Sequence, residues 1–99
     1  MQDYEFYSCV DLSALIQRSM RINGRLTCLR LERIYWIILD EIAKRQQQST
    51  AKLLSDIEIR VSLQSKEIKN FSGFIRVLCV RNMMKNYSLG VVSDWSLLQ

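Results

Sequence analysis

The residues best equipped for chemistry are arginines. Arg18, Arg21, Arg25 and Arg30 fall between Asp11 and Glu32 with no acidic residue among them. Their combined charge equals the formal net charge of +4 on the 99-residue chain, because the other ten basic and ten acidic residues cancel. A local excess of guanidinium groups is the chemistry of anion binding, with nucleic acid or a membrane surface as the obvious partners. The residue sets of catalysis are missing: there is no histidine, no Gly-rich phosphate loop and no nucleophile beside a base at a recognisable spacing. The sequence therefore argues against an enzyme and indicates no small-molecule substrate. Asp40 and Glu41 are expected on an exposed helical side, paired with Lys44 or Arg45. The three cysteines (Cys9, Cys28 and Cys79) are widely spaced and odd in number, and no C-x-x-C occurs. That pattern argues against a metal site and for reduced thiols in a cytoplasmic protein, with no cofactor implied.

These arginines sit in a stretch whose pattern is extended. Residues 18–22 and 25–31 alternate apolar and polar side chains and meet at Asn23-Gly24, the strongest short-range hairpin signal. Ahead of them, "DLSALIQ" reads as a short helical turn capped by Asp11. After them, "ERIYWIILDEIAKRQQ" has helical periodicity, with Tyr35, Ile38, Leu39 and Ile42 on one apolar face. Trp36 and Ile37 widen that face beyond what one small chain's core needs, which predicts a second chain to cover it. Ser49 is a good cap for a second helix carrying Leu53, Leu54, Ile57 and Val61, and Asn70 for a third, "FSGFIRVLCVRNMMK".

The chain is long enough for one domain and has no proline and three glycines, which favours long regular elements. Its pI near 9.2 permits an anionic partner. The longest apolar run, Ile34–Leu39, is far too short to span a bilayer, and no secretion signal opens the chain. The expected organisation is an extension over residues 1–17, a core domain over 18–85 and a tail over 86–99. Trp95 and its apolar neighbours in that tail are candidates to dock.

A basic extended segment, a helix, a short turn, a helix and an additional helix is an order that resembles the ribbon-helix-helix DNA-binding proteins. It is most similar to a bacterial subgroup with an N-terminal extension and a third helix. The residues carrying the resemblance are "RSMRINGRLTCLRLERIYWIILDEIAKRQ", "STAKLL" and "NFSGFIRVLCVR", spanning roughly Phe6 to Met83. Within them, Arg18-Ser19, Gly24, Thr27–Glu32 and Tyr35-Trp36 match the subgroup's recurring words.

The resemblance implies a mainly α fold with a short β ribbon, in which two chains each give one strand to an antiparallel ribbon that enters the DNA major groove. Alternation puts Leu26, Cys28 and Arg30 on one strand face, and Arg25, Thr27, Leu29 and Leu31 on the other. With Leu29 and Leu31 against the helices, Leu26, Cys28 and Arg30 become the candidate base readers, Arg30 by two hydrogen bonds to guanine O6 and N7. Arg18, Arg21 and Arg25 are candidate phosphate ligands, as are Ser49, Thr50, Ala51 and Lys52 at the start of the second helix. Leu29, Leu31, Tyr35, Trp36, Leu39 and Ile42 are the expected core of a homodimer. The subgroup often has glycine where Gln47 stands, and a positive φ there costs Gln47 about 1 kcal/mol relative to glycine. A hairpin in each chain conflicts with the shared ribbon, because four strands at ~4.8 Å spacing place the outer two ~14 Å apart, against a groove of ~12 Å. Either the first segment peels away as a basic arm along the phosphates, or the sheet does not enter the groove in the usual way. The rival reading is a dimeric protein-interaction module on the same fold, which the apolar Leu26 and the thiol of Cys28 favour.

Overall fold

The computed structural model describes residues 9–64 and 70–86. The docking expected of Trp95 lies outside them. The element order is β1 (Leu15–Ile22), β2 (Arg25–Glu32), α1 (Arg33–Arg45), α2 (Thr50–Gln64) and α3 (Phe71–Asn86). The strands form one antiparallel hairpin whose register runs from Leu15 opposite Glu32 to Ile22 opposite Arg25. Asn23 and Gly24 close it with φ of 51° and 82°, the paired left-handed residues of a two-residue hairpin turn. β1 begins three residues earlier than the alternation indicated. Residues 9–12 are helical, so Asp11 lies inside that turn rather than capping it. Leu15–Gln17 of the predicted turn belong to the strand, which crosses the expected boundary between extension and core.

The helices start where the sequence places them. Ser49 Oγ accepts from the backbone N–H of Lys52 at 3.1 Å, and Asn70 Oδ1 from that of Gly73 at 2.9 Å. A Cβ at position 73 would collide with the Asn70 side chain, so the glycine lets this cap close. α1 follows β2 without a side-chain cap, and the N–H of Arg33 donates instead to the carbonyl of Ala14 at 2.8 Å. Between α1 and α2, Gln47 has φ 56°, the left-handed conformation for which glycine is the easier residue.

One face of the hairpin lies on the helices. Ile22, Leu29 and Leu31 are buried there with Trp36, Leu39 and Ala43 of α1, Leu53 and Leu54 of α2, and Ile75 and Cys79 of α3. Trp36 is 1% exposed, and its indole N–H donates to the carbonyl of Ile16 at 2.9 Å. This corrects the reading of Trp36 as surplus surface awaiting a second chain: the chain's own hairpin covers it. Leu29, Leu31 and Leu39 are likewise interior to one chain, with Tyr35 and Ile42 partly buried at the margin. The large apolar side chains that stay exposed on α1 are Ile34 and Ile37, and on α3 Val77, Val80 and Met83.

Candidate nucleic-acid interface

The outward face of the hairpin is built from alternate residues of both strands. Gln17 lies opposite Arg30, Ser19 opposite Cys28, and Arg21 opposite Leu26. All six are exposed, with Leu26 at 71%. The placement of Leu26, Cys28 and Arg30 follows the predicted alternation, since burial of Leu29 and Leu31 turns the residues between them outward. Arg30 donates to Gln17 Oε1 at 3.3 Å, and the Ser19 hydroxyl and Cys28 thiol are 3.1 Å apart. Arg21 reaches the carbonyl of Gly24 at 3.5 Å. Cys9 is also an exposed free thiol, whereas burial pushes the Cys79 thiol up to about 12.

The four arginines divide into two pairs by strand parity. Arg18 shares its face with Ile16, Met20 and Ile22 and points toward the helices. It makes two 2.9 Å hydrogen bonds with the Asp40 carboxylate while its guanidinium stacks 4.5 Å from the Trp36 ring centre. Arg25, beside the turn, is paired with Glu58 of α2. The Asn23 side chain donates to the same carboxylate at 2.8 Å and to the carbonyl of Ser55 at 3.2 Å. Arg18 and Arg25 thus fasten the hairpin to the helices, and Arg21 and Arg30 are the two left on its outer face.

Each of the six acidic residues among the described residues is in an ion pair, and none lies on that face. Glu32, at the base of β2, pairs with Arg76 of α3 at 2.8 Å, Asp11 with Arg33 at 3.5 Å, and Asp56 with Lys52 at 3.0 Å. Glu41 pairs with Arg45 at 3.4 Å, as its spacing indicated. Asp40 departs from the expected pairing with Lys44 or Arg45. It faces the hairpin, where Arg18 and the Thr50 hydroxyl, 2.7 Å away, both donate to it.

At the start of α2 the predicted phosphate ligands are therefore partly committed. Ser49 caps the helix, Thr50 donates to Asp40 and Lys52 is tied to Asp56; Ala51 offers a backbone N–H in the first turn. Asp40 consequently joins β1, α1 and the first residue of α2. No group of three or more metal-ligating side chains occurs among the described residues, and none of their helices is long and apolar enough to cross a membrane.

The Asp40 tie carries a pH dependence. Hydrogen bonds from Arg18, reinforced by Thr50, hold the Asp40 carboxyl below its ordinary range; Arg25 does the same to Glu58, and Arg76 to Glu32. A depressed carboxyl stabilises the fold fully above its unfolded value, about 4, and that stability is lost as pH falls through the folded value. The thermal midpoint is expected to drop as pH falls from 5 to 3. Asp40→Asn should be less stable at pH 6 and lose less over the acid range, while Glu58 and Glu32 still titrate. Thermal unfolding followed by circular dichroism checks this, and an unchanged acid slope in the variant would mean Asp40 does not couple to folding.

Two comparisons place the chain among known proteins. The ribbon-helix-helix domain family matches residues 15–83, from the first residue of β1 into α3. A solved structure, that of an uncharacterized protein from Bordetella pertussis Tohama I, is similar with a TM-score of 0.77 and 26% identity, over 95% of this chain and 78% of that one. No curated protein matches the chain significantly.

Proposed function

Because the chain belongs to the ribbon-helix-helix domain family, we propose that it is a sequence-specific DNA-binding protein, a cytoplasmic regulator of transcription that works as a homodimer. The observation that carries this reading is the separation of charge. Six acids are spent on internal and helix-surface pairs, while the outward hairpin face keeps Arg21 and Arg30 with no acid beside them. Such a face is attracted to a phosphate backbone, and a two-stranded ribbon fits the major groove. Arg30 is the strongest base reader, able to give two N–H groups to guanine. Cys28 and Leu26 offer weaker contacts, a thiol and an apolar surface suited to a thymine methyl. Arg21 serves as a phosphate ligand, and the first-turn N–H groups of α2 at Thr50 and Ala51 provide a second anchor.

The homodimer is supported by apolar surface rather than by Trp36. Ile34 and Ile37 on α1, with Val77 and Val80 on α3, leave both helices with uncovered apolar faces. Sedimentation at micromolar concentration is expected to give twice the mass of the 11.7 kDa chain; a folded monomer there removes the dimer. The decisive assay for the function is anisotropy titration of random-sequence duplex DNA at 50 mM salt. Absence of binding would favour the second reading, a protein-interaction module whose contact surface is centred on the exposed Leu26.

A further inference from the structure

The family resemblance implies a ribbon with one strand from each of two chains, yet both strands here belong to one chain. Two strands at ~4.8 Å spacing enter a groove of ~12 Å, whereas a sheet of two joined hairpins is ~14 Å between its outer strands. We propose that Gln17 on β1 is a base-specific residue selecting adenine beside the guanine taken by Arg30, so that both strands of a chain's own hairpin read the DNA. The inference rests on the DNA-binding reading above and adds to it the residues of β1.

Gln17 and Arg30 face each other across the hairpin, on the outward side, and their side chains touch. Glutamine recognises adenine by accepting from N6 and donating to N7, as arginine recognises guanine by donating to O6 and N7. The 3.3 Å hydrogen bond from Arg30 to Gln17 Oε1 is compatible with both contacts. A carbonyl oxygen has two lone pairs, so Oε1 can accept from Arg30 and from adenine N6 together, leaving the amide N–H groups for N7. Arg30 has five N–H donors and can spare one for Gln17 while two engage guanine. The pair is thereby oriented before DNA arrives.

The rest of the face sets the spacing. Alternate residues of a strand are ~6.8 Å apart, about two base steps of ~3.4 Å. The row of Ser19 and Cys28 then falls about two steps from the Gln17–Arg30 row, and that of Arg21 and Leu26 about four steps from it. The expected half-site is about five base pairs long, with an adjacent adenine and guanine at one end.

The test is selection of bound duplexes from a randomised pool by wild type, Gln17→Ala and Arg30→Ala, followed by anisotropy titrations on the wild-type sequence. Both residues are exposed, so the variants should keep the fold, and circular dichroism verifies it. Gln17→Ala is expected to weaken binding roughly 5- to 150-fold per half-site and to lose selection for adenine at one position. Arg30→Ala should relax a different, neighbouring position that selects guanine. If Gln17→Ala selects the wild-type sequence with unchanged affinity, β1 does not read bases and the inference falls while DNA binding stands. If Gln17→Ala relaxes only the position lost in Arg30→Ala, Gln17 merely orients Arg30 and the inference also falls. Failure of wild type to bind any duplex at 50 mM salt overturns the DNA-binding reading and the inference with it.

Discussion

Trp36→Ala is expected to cost about 3–5 kcal/mol, the usual range for truncating a buried large aromatic. Trp36 is 1% exposed and packs in the core beneath the hairpin. Its N–H holds the Ile16 carbonyl, and its ring carries the Arg18 guanidinium, so the truncation removes packing, a hydrogen bond and a stacked cation together. A chain of this size has a total stability of about 5–15 kcal/mol, and each kilocalorie moves its melting point by roughly 4–8 °C. The midpoint should fall by more than about 10 °C, and the variant is expected to be substantially unfolded at 37 °C if wild type lies at the low end. Trp36→Phe keeps the aromatic body, loses the N–H and should cost less. Equal losses in the two variants would mean the hydrogen bond to Ile16, not ring packing, dominates. A midpoint unchanged by Trp36→Ala would contradict the burial of the indole within one chain.

The salt dependence of DNA binding is expected to count the outward arginines. Each phosphate neutralised contributes roughly −0.9 to the slope of log affinity against log salt. With Arg18 and Arg25 held by Asp40 and Glu58, each chain offers Arg21 and Arg30. With Arg30 on a base, Arg21 is each chain's phosphate contact, so a dimer neutralises about two phosphates, giving a slope near −1.8 and a ~10-fold loss between 50 and 200 mM salt. If Arg18 and Arg25 of each chain also met phosphates, the slope would approach about −5 and the loss ~10³-fold. Titrations at several salt concentrations separate these cases. A steep slope of about −5 would require Arg18 and Arg25 to leave their carboxylates, and a flat response would favour the protein-interaction module.

Much of the hairpin was legible because its signals are local. Asn23-Gly24 fixes the turn, and the alternation from Arg25 to Leu31 fixes which side chains face outward. Strand parity also held an unused signal for Arg18, which lies two and four residues from Met20 and Ile22, both packed on the helices. An arginine at such a position needs a buried-side partner, and its partner, Asp40, is 22 residues away in sequence. No periodicity reports a pairing of that span. Charge alone assigns Asp40 to solvent, although it lies four residues from the buried Trp36 and three from Ala43. The helical face is shifted by one line: of Tyr35, Ile38, Leu39 and Ile42, Leu39 is fully buried and the other three pack at the core's margin, while the hairpin rests on the line through Trp36, Leu39 and Ala43. Two overlapping apolar lines on one helix cannot be ranked without knowing what covers them.

A ribbon drawn from residues 15–32 alone also changes how the molecule comes into being. Hairpins with two-residue turns close in about 1–10 μs, ahead of contacts that span more of the chain. Strands contributed by two chains would have to meet by diffusion, at a rate proportional to protein concentration. Here closure is a first-order event within each newly made chain, since Leu15 and Glu32 are neighbours across a turn rather than across an interface. The surface facing outward can therefore be assembled on a lone polypeptide, and dilution, which would dissolve a shared ribbon, leaves its strand pairing intact.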